Sequence, residues 1–593
     1  MKIRSVNCAV WAAVGLLAFE AAGAPAVPML SIDISPRYNG TGLIFDKPAH
    51  TNSAGQEFSI TRLDFLLSDF ALHRSGGTWL QTTNWQACIK FGENRTNATV
   101  GGLEPGRYDR IRFHVGLMPE LNHSDPALYP PGHPLNPMLN GLHWGWAGGY
   151  VFFALEGLWR DDRGQWRGYS FHLGNDPQLM TVELSVALDL NQDKVVALTL
   201  DLDGLLSRKL DENNASTHSR TGDDMASTLR KSVEQAFSVV GTGLAVSPAA
   251  GSQVRVELEQ HQVGTHPYRF TFSMRFPRPD LPLDNPLTEE GVALGRRLFF
   301  EKKLSVNNSQ SCASCHQPER GFSDAGKRFS IGAEGAAGTR NAMMLFNLAW
   351  KRSFFWDGRA STLRQQVLMP VQNPVEMHQS VDKVIAKLAA TTDYPALFAA
   401  AFGSQAITTN RVALALEQFV LTRISCDSKL DRALQGTEEL TSEEKHGFEL
   451  FMTEYDPRRG LRGADCFHCH GGPLFQSQGF ANNGLDANFS DAGRGAISGR
   501  EGDNGRFAVP SLRNVELTGP YMHDGRFKTL EEVVAHYCGG VKRSATLDPN
   551  LAKHPDGGVP LSQADRKALV AFLKTLTEES LLPGHGKIQL SKN

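Results

Sequence analysis

Two stretches of this chain, Cys312-Ala-Ser-Cys315-His316 and Cys466-Phe-His-Cys469-His470, share the pattern Cys-x-x-Cys-His. This is the spacing at which c-type haem is attached. The two thiols form thioethers to the haem vinyl groups, and the adjacent imidazole reaches the iron as its proximal ligand. A zinc site or a redox dithiol also suits Cys-x-x-Cys pairs and stays the alternative. Two copies in one chain favour two covalently bound haem c groups.

The first residues are typical of a secretory signal peptide. Lys2 and Arg4 precede an apolar run over 9–17 and small residues over 21–26, as in a signal that is cleaved on export. The run is too short to span a membrane, and no later stretch reaches about 18 uninterrupted apolar residues. We therefore expect a signal peptide over 1–26 and a periplasmic protein that does not span the membrane.

Length, net charge and cysteine content narrow the classes of protein to which this chain can belong. The 593 residues suggest three or four domains of about 150 residues each. The formal net charge of -3 gives no argument for nucleic acid as a partner. Outside the signal and the haem motifs, the cysteines are Cys88, Cys426 and Cys538. These three allow one disulfide and one free thiol, with the pair left open.

Residues 28–240 have the pattern of a β domain. Short alternating or β-branched runs predict strands, and their spacing predicts an antiparallel sandwich. Helical spacing over Asp223–Val239 predicts a helix that closes this domain, and 241–280 is a predicted linker. The predicted strands include 31–35, 60–67, 110–115, 150–155 and 195–202.

From residue 281 the pattern becomes helical. Apolar residues recur at helical spacing, and long Gly-rich loops separate the segments, as in c-type cytochromes. The haem motifs are far enough apart for one domain each, 281–436 and 437–593. The expected fold is multidomain, with an N-terminal all-β antiparallel sandwich followed by two mainly α cytochrome c-type haem domains. The predicted helices are 288–300, 381–390, 409–423, 442–452, 530–537 and 562–576.

Residues 280–580 resemble the bacterial di-haem cytochrome c peroxidase family, including its MauG-like branch. The resemblance implies an oxidoreductase that reacts with hydrogen peroxide. The matching strings, in the family's order, are Leu294-Gly-Arg-Arg-Leu-Phe-Phe300, Ser311-Cys-Ala-Ser-Cys-His316, Phe355-Trp-Asp-Gly-Arg-Ala360, Asn373-Pro-Val-Glu-Met377, Val509-Pro-Ser-Leu-Arg-Asn514 and Pro520-Tyr-Met-His-Asp-Gly525.

The resemblance assigns roles around the first haem. His316 is its proximal ligand. No histidine occurs between His316 and His378, which implies a five-coordinate iron that is ready for peroxide. Glu376 matches the distal acid–base group, which can move a proton between the two peroxide oxygens. Gln366 matches the same distal pocket. Without the resemblance, Glu376 would be interpreted as a surface carboxylate.

Two further positions distinguish the branches of the family. Trp356 matches the tryptophan that lies between the haems and can carry an electron or a hole. The second haem has His470 as its proximal ligand, and Tyr537 matches the tyrosine that MauG-like proteins use as the other axial ligand. A phenolate stabilises high-valent iron, whereas a thioether favours the reduced state. The alternatives are that Tyr537 packs in the core, or that Met522 or His536 is the ligand.

A calcium ion between the haems is common in this family. Asn341, Thr518 and Pro520 match its protein ligands, the last two through their backbone carbonyl oxygens. Ligation by oxygen atoms alone, together with several waters, suits calcium.

The first half resembles the MbnP-like proteins, periplasmic β-proteins that bind copper. In that family a tryptophan is oxidised to kynurenine by a partner MauG-like di-haem enzyme. Both parts occur in this one chain, which suggests an enzyme joined to its own substrate domain. The matching strings are Leu66-Leu-Ser-Asp-Phe70, Trp144-Gly-Trp146 with Gly149-Tyr150, Leu155-Glu-Gly157 and Phe171-His-Leu-Gly174.

Copper requires imidazoles that converge in space. His73, His114 and His172 lie in predicted strands, and His143 adjoins a tryptophan. Any one of them alone is more often a surface or core histidine. Within this resemblance they are the copper candidates.

The leading hypothesis is a periplasmic di-haem enzyme of the MauG-like type. Hydrogen peroxide would produce high-valent haem, and Trp144 or Trp146 would be oxidised, in the same chain or in another copy. Core packing is the alternative for both tryptophans. Two other hypotheses stay open: a cytochrome c peroxidase fed by a small cytochrome or cupredoxin, and a copper-binding electron-transfer protein without peroxidase activity.

Overall fold

The computed structural model describes residues 28–130, 132–144, 149–219, 222–244, 265–273, 275–324, 326–457, 460–554 and 557–582. Separate hydrophobic cores define a β domain and two helical domains in these ranges. The predicted signal peptide, 1–26, lies outside them. Within the described ranges, no helix is long and apolar enough to cross a membrane.

The β domain is built from two sheets that share one core. Short helices α1 (Pro119–Asn122), α2 (Pro137–Asn140) and α3 (Asp203–Leu206) and the longer α4 (Asp224–Gln235) complete it. Its strands are β1 (Leu30–Tyr38), β2 (Thr41–Gly42), β3 (His50–Thr51), β4 (Glu57–Arg74), β5 (Trp79–Gln81), β6 (Gln86–Lys90), β7 (Asn97–Val100), β8 (Gly106–Val115), β9 (Val151–Arg160), β10 (Trp166–Gly174), β11 (Met180–Leu190), β12 (Lys194–Asp201), β13 (Ser216–Thr217) and β14 (Phe237–Leu244).

The pairing confirms the predicted sandwich and corrects one detail. The larger sheet has the order β11-β8-β4-β9-β10-β13, and β3, β5 and β6 also pair with β4. The smaller sheet has the order β14-β12-β1-β2, and β7 also pairs with β1. Not every pair is antiparallel, because β1 runs parallel to β12 and β10 runs parallel to β13. Parallel neighbours need long connections instead of hairpins, so local patterns do not reveal them.

Strand burial shows where another domain covers the larger sheet. β11 alternates between buried and exposed positions over much of its length, as expected when one face meets solvent. β9 and β10 are instead buried on both faces. A Cβ atom added to Gly168 of β10 would lie 1.9 Å from the Pro549 carbonyl oxygen. The backbone of the second helical domain therefore rests directly on this strand.

All six predicted helices of the second half are present, with ends within two residues of the prediction. The helix predicted over Asp223–Val239 ends earlier, because Phe237 begins β14. The helices are α5 (Glu289–Phe299), α6 (Cys312–Cys315), α7 (Leu363–Gln366), α8 (Met369–Gln372), α9 (Val381–Ala389), α10 (Tyr394–Phe402), α11 (Thr409–Leu421), α12 (Lys429–Leu434), α13 (Ser442–Met452), α14 (Phe467–His470), α15 (Gly495–Ser498), α16 (Leu530–Gly539), α17 (Pro549–Ala552) and α18 (Gln563–Lys574). Four short strands form two antiparallel pairs, β15 (Tyr455–Asp456) with β16 (Leu461–Arg462) and β17 (Phe480–Ala481) with β18 (Phe507–Ala508).

In both helical domains the first long helix crosses the last one at a glycine. A Cβ atom on Gly295 of α5 would lie 1.8 Å from the Ala415 carbonyl oxygen of α11. A Cβ atom on Gly447 of α13 would lie 2.0 Å from the Ala568 carbonyl oxygen of α18. A larger residue at either glycine would force the helices apart. The repeated contact supports one architecture for both domains.

The β domain is docked on the second helical domain. Arg543 Nη1 donates to the Trp166 carbonyl oxygen at 2.6 Å, and Arg506 pairs with Asp46 at 3.3 Å. These polar contacts fix the orientation of the two domains. An apolar cluster completes the interface, made of Leu158, Val541, Leu547 and Ala552.

Candidate active site

Backbone carbonyl groups orient both histidines of the Cys-x-x-Cys-His motifs. His316 donates from Nδ1 to the Phe322 carbonyl oxygen at 3.0 Å, and His470 donates from Nδ1 to the Pro510 carbonyl oxygen at 3.1 Å. A proton held on Nδ1 leaves the Nε2 lone pair for a metal. Burial lowers the pKa of both imidazoles, to about 4 for His470. Both side chains therefore fit the proximal position of a haem.

The other cysteines do not pair. Cys88, Cys426 and Cys538 are free thiols, so the disulfide that the sequence allowed is not formed. The three thiols lie in different parts of the fold. Cys88 belongs to the β-domain core, Cys426 packs against the core of the first helical domain, and Cys538 belongs to the core of the second. Burial raises the pKa of Cys88 to about 12 and that of Cys426 to about 11.

A cavity of about 260 Å³ opens beside the second motif. Its walls are largely apolar, as expected for a cofactor site, and it extends from the motif as far as Trp356. The cavity thus connects the second motif with the residue expected between two haems. Other lining residues include Cys466, Cys469, His470, Met522 and Tyr537.

Trp356 is held rigidly at the edge of this cavity. Its Nε1 donates to the Asn341 carbonyl oxygen at 2.8 Å, and its own carbonyl oxygen accepts from the Ala508 amide at 2.7 Å. The next residue, Asp357, is buried and accepts from Arg340 at 2.6 Å. These contacts fix the indole between the two helical domains.

Glu376 lies beside the first motif. Burial raises the pKa of its carboxyl group, and Asn373 Nδ2 donates to its Oε1 at 2.6 Å. Its charge adds to the effect of burial in raising the pKa of the Cys312 and Cys315 thiols, which places it within electrostatic reach of both. Gln366, the last residue of α7, is half-buried. The carboxyl group therefore lies near the first haem motif, where burial favours its protonated form more than at an exposed position.

All three candidates for the second axial ligand contact Asn483. Tyr537 and Met522 both line the cavity with His470; Asn483 Nδ2 donates to the Met522 sulfur at 3.3 Å. His536 instead donates from Nε2 to the Asn483 carbonyl oxygen at 2.9 Å. Burial raises the pKa of Tyr537, so a nearby metal charge would be needed to form the phenolate.

The three calcium candidates lie along the wall of the same cavity. Asn341, Thr518 and Pro520 all line it. Asn341 Nδ2 donates to the carbonyl oxygens of Lys327 at 3.2 Å and Arg328 at 3.3 Å, which turns the side-chain nitrogen away and leaves Oδ1 as a ligand. The donor set consists of oxygen atoms, which fits calcium.

The structure separates the predicted copper ligands. His73 Nδ1 lies 2.6 Å from Asp109 Oδ1, and His114 Nδ1 lies 3.1 Å from Thr181 Oγ1. Neither belongs to the histidine group that contains His172. His73, His114 and His172 therefore do not form one cluster in the described residues, because being in a strand says nothing about which histidines converge across neighbouring strands.

His172 converges instead with two histidines that the sequence reasoning missed. Its ring centre lies 4.7 Å from that of His218, which follows β13, and the ring of His218 lies 4.8 Å from that of His468. His468 stands between the two cysteines of the second haem motif. The sequence gives this position, but it does not show which histidines contact His468 in the fold. The group therefore joins the β domain to the second haem site.

Trp144 packs against this group. Its ring centre lies 5.9 Å from that of His172 and 5.7 Å from that of His218. The buried indole Nε1 has no hydrogen-bond partner in the described part of the chain. Trp146, the other predicted oxidation site, lies outside the described residues. A single imidazole, that of His218, thus lies between Trp144 and a residue of the second haem motif.

A buried ion network lies beneath these rings. Lys553 Nζ lies 3.2 Å from a carboxylate oxygen of Glu454 and 3.2 Å from one of Asp465, and His554 Nε2 lies 2.7 Å from Asp465. Although burial opposes ionisation, Lys553 holds the pKa of Asp465 well below its usual range. The interface therefore keeps ionised carboxylates next to the histidine group.

Comparisons with family models agree with this two-part arrangement. The family described as di-haem cytochrome c peroxidase matches residues 289–439. The family described as MbnP matches residues 27–222. Together the two matches cover the β domain and the domain of the first haem motif.

Curated proteins similar to this chain include a MauG protein and a cytochrome c peroxidase. Methylamine utilization protein MauG of Methylorubrum extorquens is 38% identical over 312 residues, 51% of this chain and 84% of that protein. Cytochrome c551 peroxidase of Nitrosomonas europaea is 34% identical over 300 residues, 49% of this chain and 81% of that protein. The crystal structure of a MauG-like protein associated with microbial copper homeostasis is 36% identical, with a TM-score of 0.47, over 53% of this chain and 97% of that one. Each similarity extends over about half of this chain.

Proposed function

This chain belongs to the di-haem cytochrome c peroxidase family, with an MbnP domain ahead of it, and we propose that it uses hydrogen peroxide in the periplasm to oxidise Trp144 of its own MbnP domain. One observation carries the proposal: Trp144 lies 5.7 Å from His218, which lies 4.8 Å from His468 in the second haem motif. Substrate and second haem would therefore be neighbours within one molecule.

The bound haems supply the redox chemistry, and each peroxide that is reduced to two waters takes up two electrons. The chain supplies the proton transfers. Glu376 would take a proton from one oxygen of peroxide and return it to the other, which would leave as water. Its raised pKa suits a group that must both accept and donate. Asn373, at 2.6 Å, holds the carboxyl group in place.

Trp356 provides the route between the two haems. An indole between two redox centres divides one long electron transfer into two shorter steps. The hydrogen bond from its Nε1 to the Asn341 carbonyl oxygen, 2.8 Å long, keeps the ring in one orientation. The side chain can therefore pass electrons without moving.

The surroundings of Trp144 favour removal of its electrons. Glu156 lies 2.8 Å from His172, and Glu454 lies 2.9 Å from His218. These buried carboxylates stabilise positive charge that develops on a neighbouring indole. The two electrons that reduce one peroxide would come from Trp144, which would take up an oxygen atom from water and release two protons.

Intact mass measurement of the purified di-haem protein, before and after hydrogen peroxide, tests this proposal. We expect oxygen addition that maps to Trp144, and its loss in Trp144→Phe. Trp79→Phe is the matched control, because Trp79 stacks on Arg112 at 4.5 Å within the β domain. Addition at Trp146, or no addition at any tryptophan, would contradict the assignment.

A mixing experiment tests whether each chain oxidises itself. Isotope-labelled His316→Ala protein, which lacks the proximal ligand of the first haem, is combined with unlabelled wild-type protein and then with peroxide. Oxidation confined to unlabelled chains is the expected result. Equal oxidation of labelled chains would show that the reaction takes place between copies.

A second function has one observation in its favour. Met522 lines the same cavity as Tyr537, and a thioether ligand would favour ordinary peroxide reduction with electrons from a small electron-transfer protein. Magnetic circular dichroism of the ferric protein distinguishes the two, because phenolate and thioether ligands give different charge-transfer bands.

A further inference from the structure

We propose that Lys351 of the first helical domain holds a propionate carboxylate of the second haem. Lys351 lines the cavity beside the second motif, and its neighbour Trp350 packs in the core of the first helical domain. A side chain of one domain therefore reaches the haem cavity of the other. The inference requires a haem at the second motif, and it does not require that Trp144 be oxidised.

Carbonyl groups of the second helical domain tether the Lys351 side chain. Its Nζ donates to the Val509 carbonyl oxygen at 2.8 Å and to the Ser477 carbonyl oxygen at 3.0 Å. An ammonium group has three N–H donors, and these contacts use two of them. One donor is therefore left for a ligand in the cavity.

One glutamine fixes the backbone on both sides of Lys351. Gln478 Nε2 donates to the Trp350 carbonyl oxygen at 2.7 Å, and the Arg352 amide donates to Gln478 Oε1 at 3.1 Å. Both contacts join the first helical domain to the second. The position of Lys351 in the cavity therefore follows from the docking of these two domains.

The positive charge of Lys351 has no counter-charge among the described residues. Burial lowers the pKa of Lys351 to about 8, so the amine still holds its proton at pH 7. Of the described residues that line the cavity, it is the one lysine or arginine. Buried charges in proteins are normally paired, so an anion in the cavity would complete the site.

The two aspartates that line the cavity in the described residues do not supply this anion. Asp465 lies 3.2 Å from Lys553 and 2.7 Å from His554, and these partners balance its charge. Burial raises the pKa of Asp548, which disfavours its charged form. Neither contributes to the pKa of Lys351. The missing anion therefore has to come from a ligand.

A haem propionate has the chemistry that this position requires. It is an ionised carboxylate, and a hydrogen bond between an ammonium group and a carboxylate is among the stronger ones in proteins. After burial, which is the larger cause, the charge of Lys351 also helps to lower the pKa of His470. Lys351 is thus within electrostatic reach of the proximal ligand of the second haem.

Replacing Lys351 by glutamine tests the contact in the full di-haem protein. Lys351→Gln removes the charge but keeps two N–H donors for the same carbonyl groups. Loss of a nearby positive charge disfavours ferrous iron, so the ferrous-to-ferric ratio of the second haem at a fixed potential should fall on the order of tenfold. In spectroelectrochemistry this is a downward shift of about 59 mV for one electron.

Two matched variants should keep the wild-type potential. Lys351→Arg retains the charge and the donors. Lys445→Gln removes the charge of an exposed lysine in α13 of the second helical domain. An equal shift in Lys445→Gln would overturn the proposal, because the effect would then belong to net charge and not to a contact in the cavity.

Infrared difference spectra between reduced and oxidised protein identify the carboxylate. Haem that carries ¹³C in its propionate carboxyl groups marks the bands that belong to the cofactor. We expect a labelled carboxylate band that shifts in Lys351→Gln and returns in Lys351→Arg. Unchanged labelled bands in Lys351→Gln would overturn the proposal, whatever the potential does.

The wild-type spectrum decides if Lys351→Gln fails to attach two haems. A propionate in an apolar cavity takes up a proton readily unless a cation holds it ionised. A labelled carboxylate band that persists at about pH 5 supports the contact, and its replacement by a protonated carboxyl band overturns it. The mass of Trp144 is recorded in the same samples. A Lys351 effect in protein that leaves Trp144 unoxidised would refute the proposed function alone.

Discussion

The imidazole of His218 in the β domain lies 4.8 Å, centre to centre, from that of His468, which stands between Cys466 and Cys469 of the second haem motif. This contact joins the domain that carries Trp144 to the domain that would hold the second haem. The geometry of the interface, and not of either domain alone, therefore controls the proposed reaction.

Disturbing the interface should stop the oxidation of Trp144 without affecting the haems. Gly168→Ala would place a Cβ atom 1.9 Å from the Pro549 carbonyl oxygen and push the domains apart. A displacement of about 1 Å can cost about 100-fold in rate, so peroxide-dependent oxidation of Trp144 should fall by a similar factor. Gly92→Ala is the control, because its Cβ would meet nothing within 4 Å. An unchanged yield in Gly168→Ala would show that docking is not needed.

Replacing Glu376 should slow the reaction with peroxide. Glu376→Gln removes the proton acceptor, and we expect the rate in stopped-flow absorption to fall by about 10²–10⁴-fold. Burial raises the pKa of Glu376, so the wild-type rate should be full above this raised pKa and lost as the pH falls through it. The variant should lack that pH step. A pH profile shared by both proteins would assign the proton transfer to another group.

The axial ligand of the second haem should set its potential. Tyr537→Met exchanges a phenolate for a thioether, which favours reduced iron, so the midpoint potential should rise by on the order of 100 mV. Tyr521→Phe is the matched control, since Tyr521 lines the same cavity but donates to the Val515 carbonyl oxygen at 3.0 Å. If Tyr537→Met leaves the potential unchanged in spectroelectrochemistry, Tyr537 is not the ligand.

Removal of calcium should disconnect the two haems. Asn341 is a proposed ligand, and its carbonyl oxygen also accepts from Trp356 at 2.8 Å, so an empty site should loosen the indole. Chelation with EGTA should slow oxidation of Trp144 while peroxide still reacts with the first haem. Calcium should restore the rate, and magnesium should not, because it requires a smaller octahedral site. Full activity of a protein shown to be calcium-free would exclude this role.

A buried ion pair should stabilise the second helical domain. Asp431 accepts from Arg513 at 2.7 Å with both side chains buried, and Arg513 also donates to the Pro473 carbonyl oxygen at 2.9 Å. Breaking such a pair costs about 3–5 kcal/mol, so Asp431→Asn should lower the free energy of unfolding by that amount. The exposed Asp427→Asn should change it by less than about 1 kcal/mol.

The same pair gives a pH dependence. Burial opposes ionisation of Asp431, but Arg513 lowers its pKa overall. A carboxyl group with a lowered folded-state pKa stabilises the protein above its unfolded pKa, and this stability is lost as the pH falls through the folded pKa. Denaturant unfolding should show this acid-side loss in wild type and not in Asp431→Asn. Identical acid-side curves would contradict the assignment.

Local sequence was sufficient for features that depend on local physics. The haem motifs need only five consecutive residues, and the helix over 442–452 was predicted to its ends because apolar spacing and the Thr441 cap act within one turn. The strand over 60–67 followed from its β-branched and aromatic residues. The parallel pairing of β1 with β12 escaped prediction, because its partners are joined by a long connection.

The sequence by itself determined that this chain carries two haem-attachment motifs and a β domain, and it predicted the residues of a peroxide-reacting site. Only the tertiary structure decided that His172 converges with His218 and His468 and not with His73 or His114. Residues that contact each other across a domain interface leave no periodic signal in the chain. Their convergence depends on how two separately folded cores dock. The close approach of the two backbones at Gly168 and the buried ion network around Lys553 fix that docking.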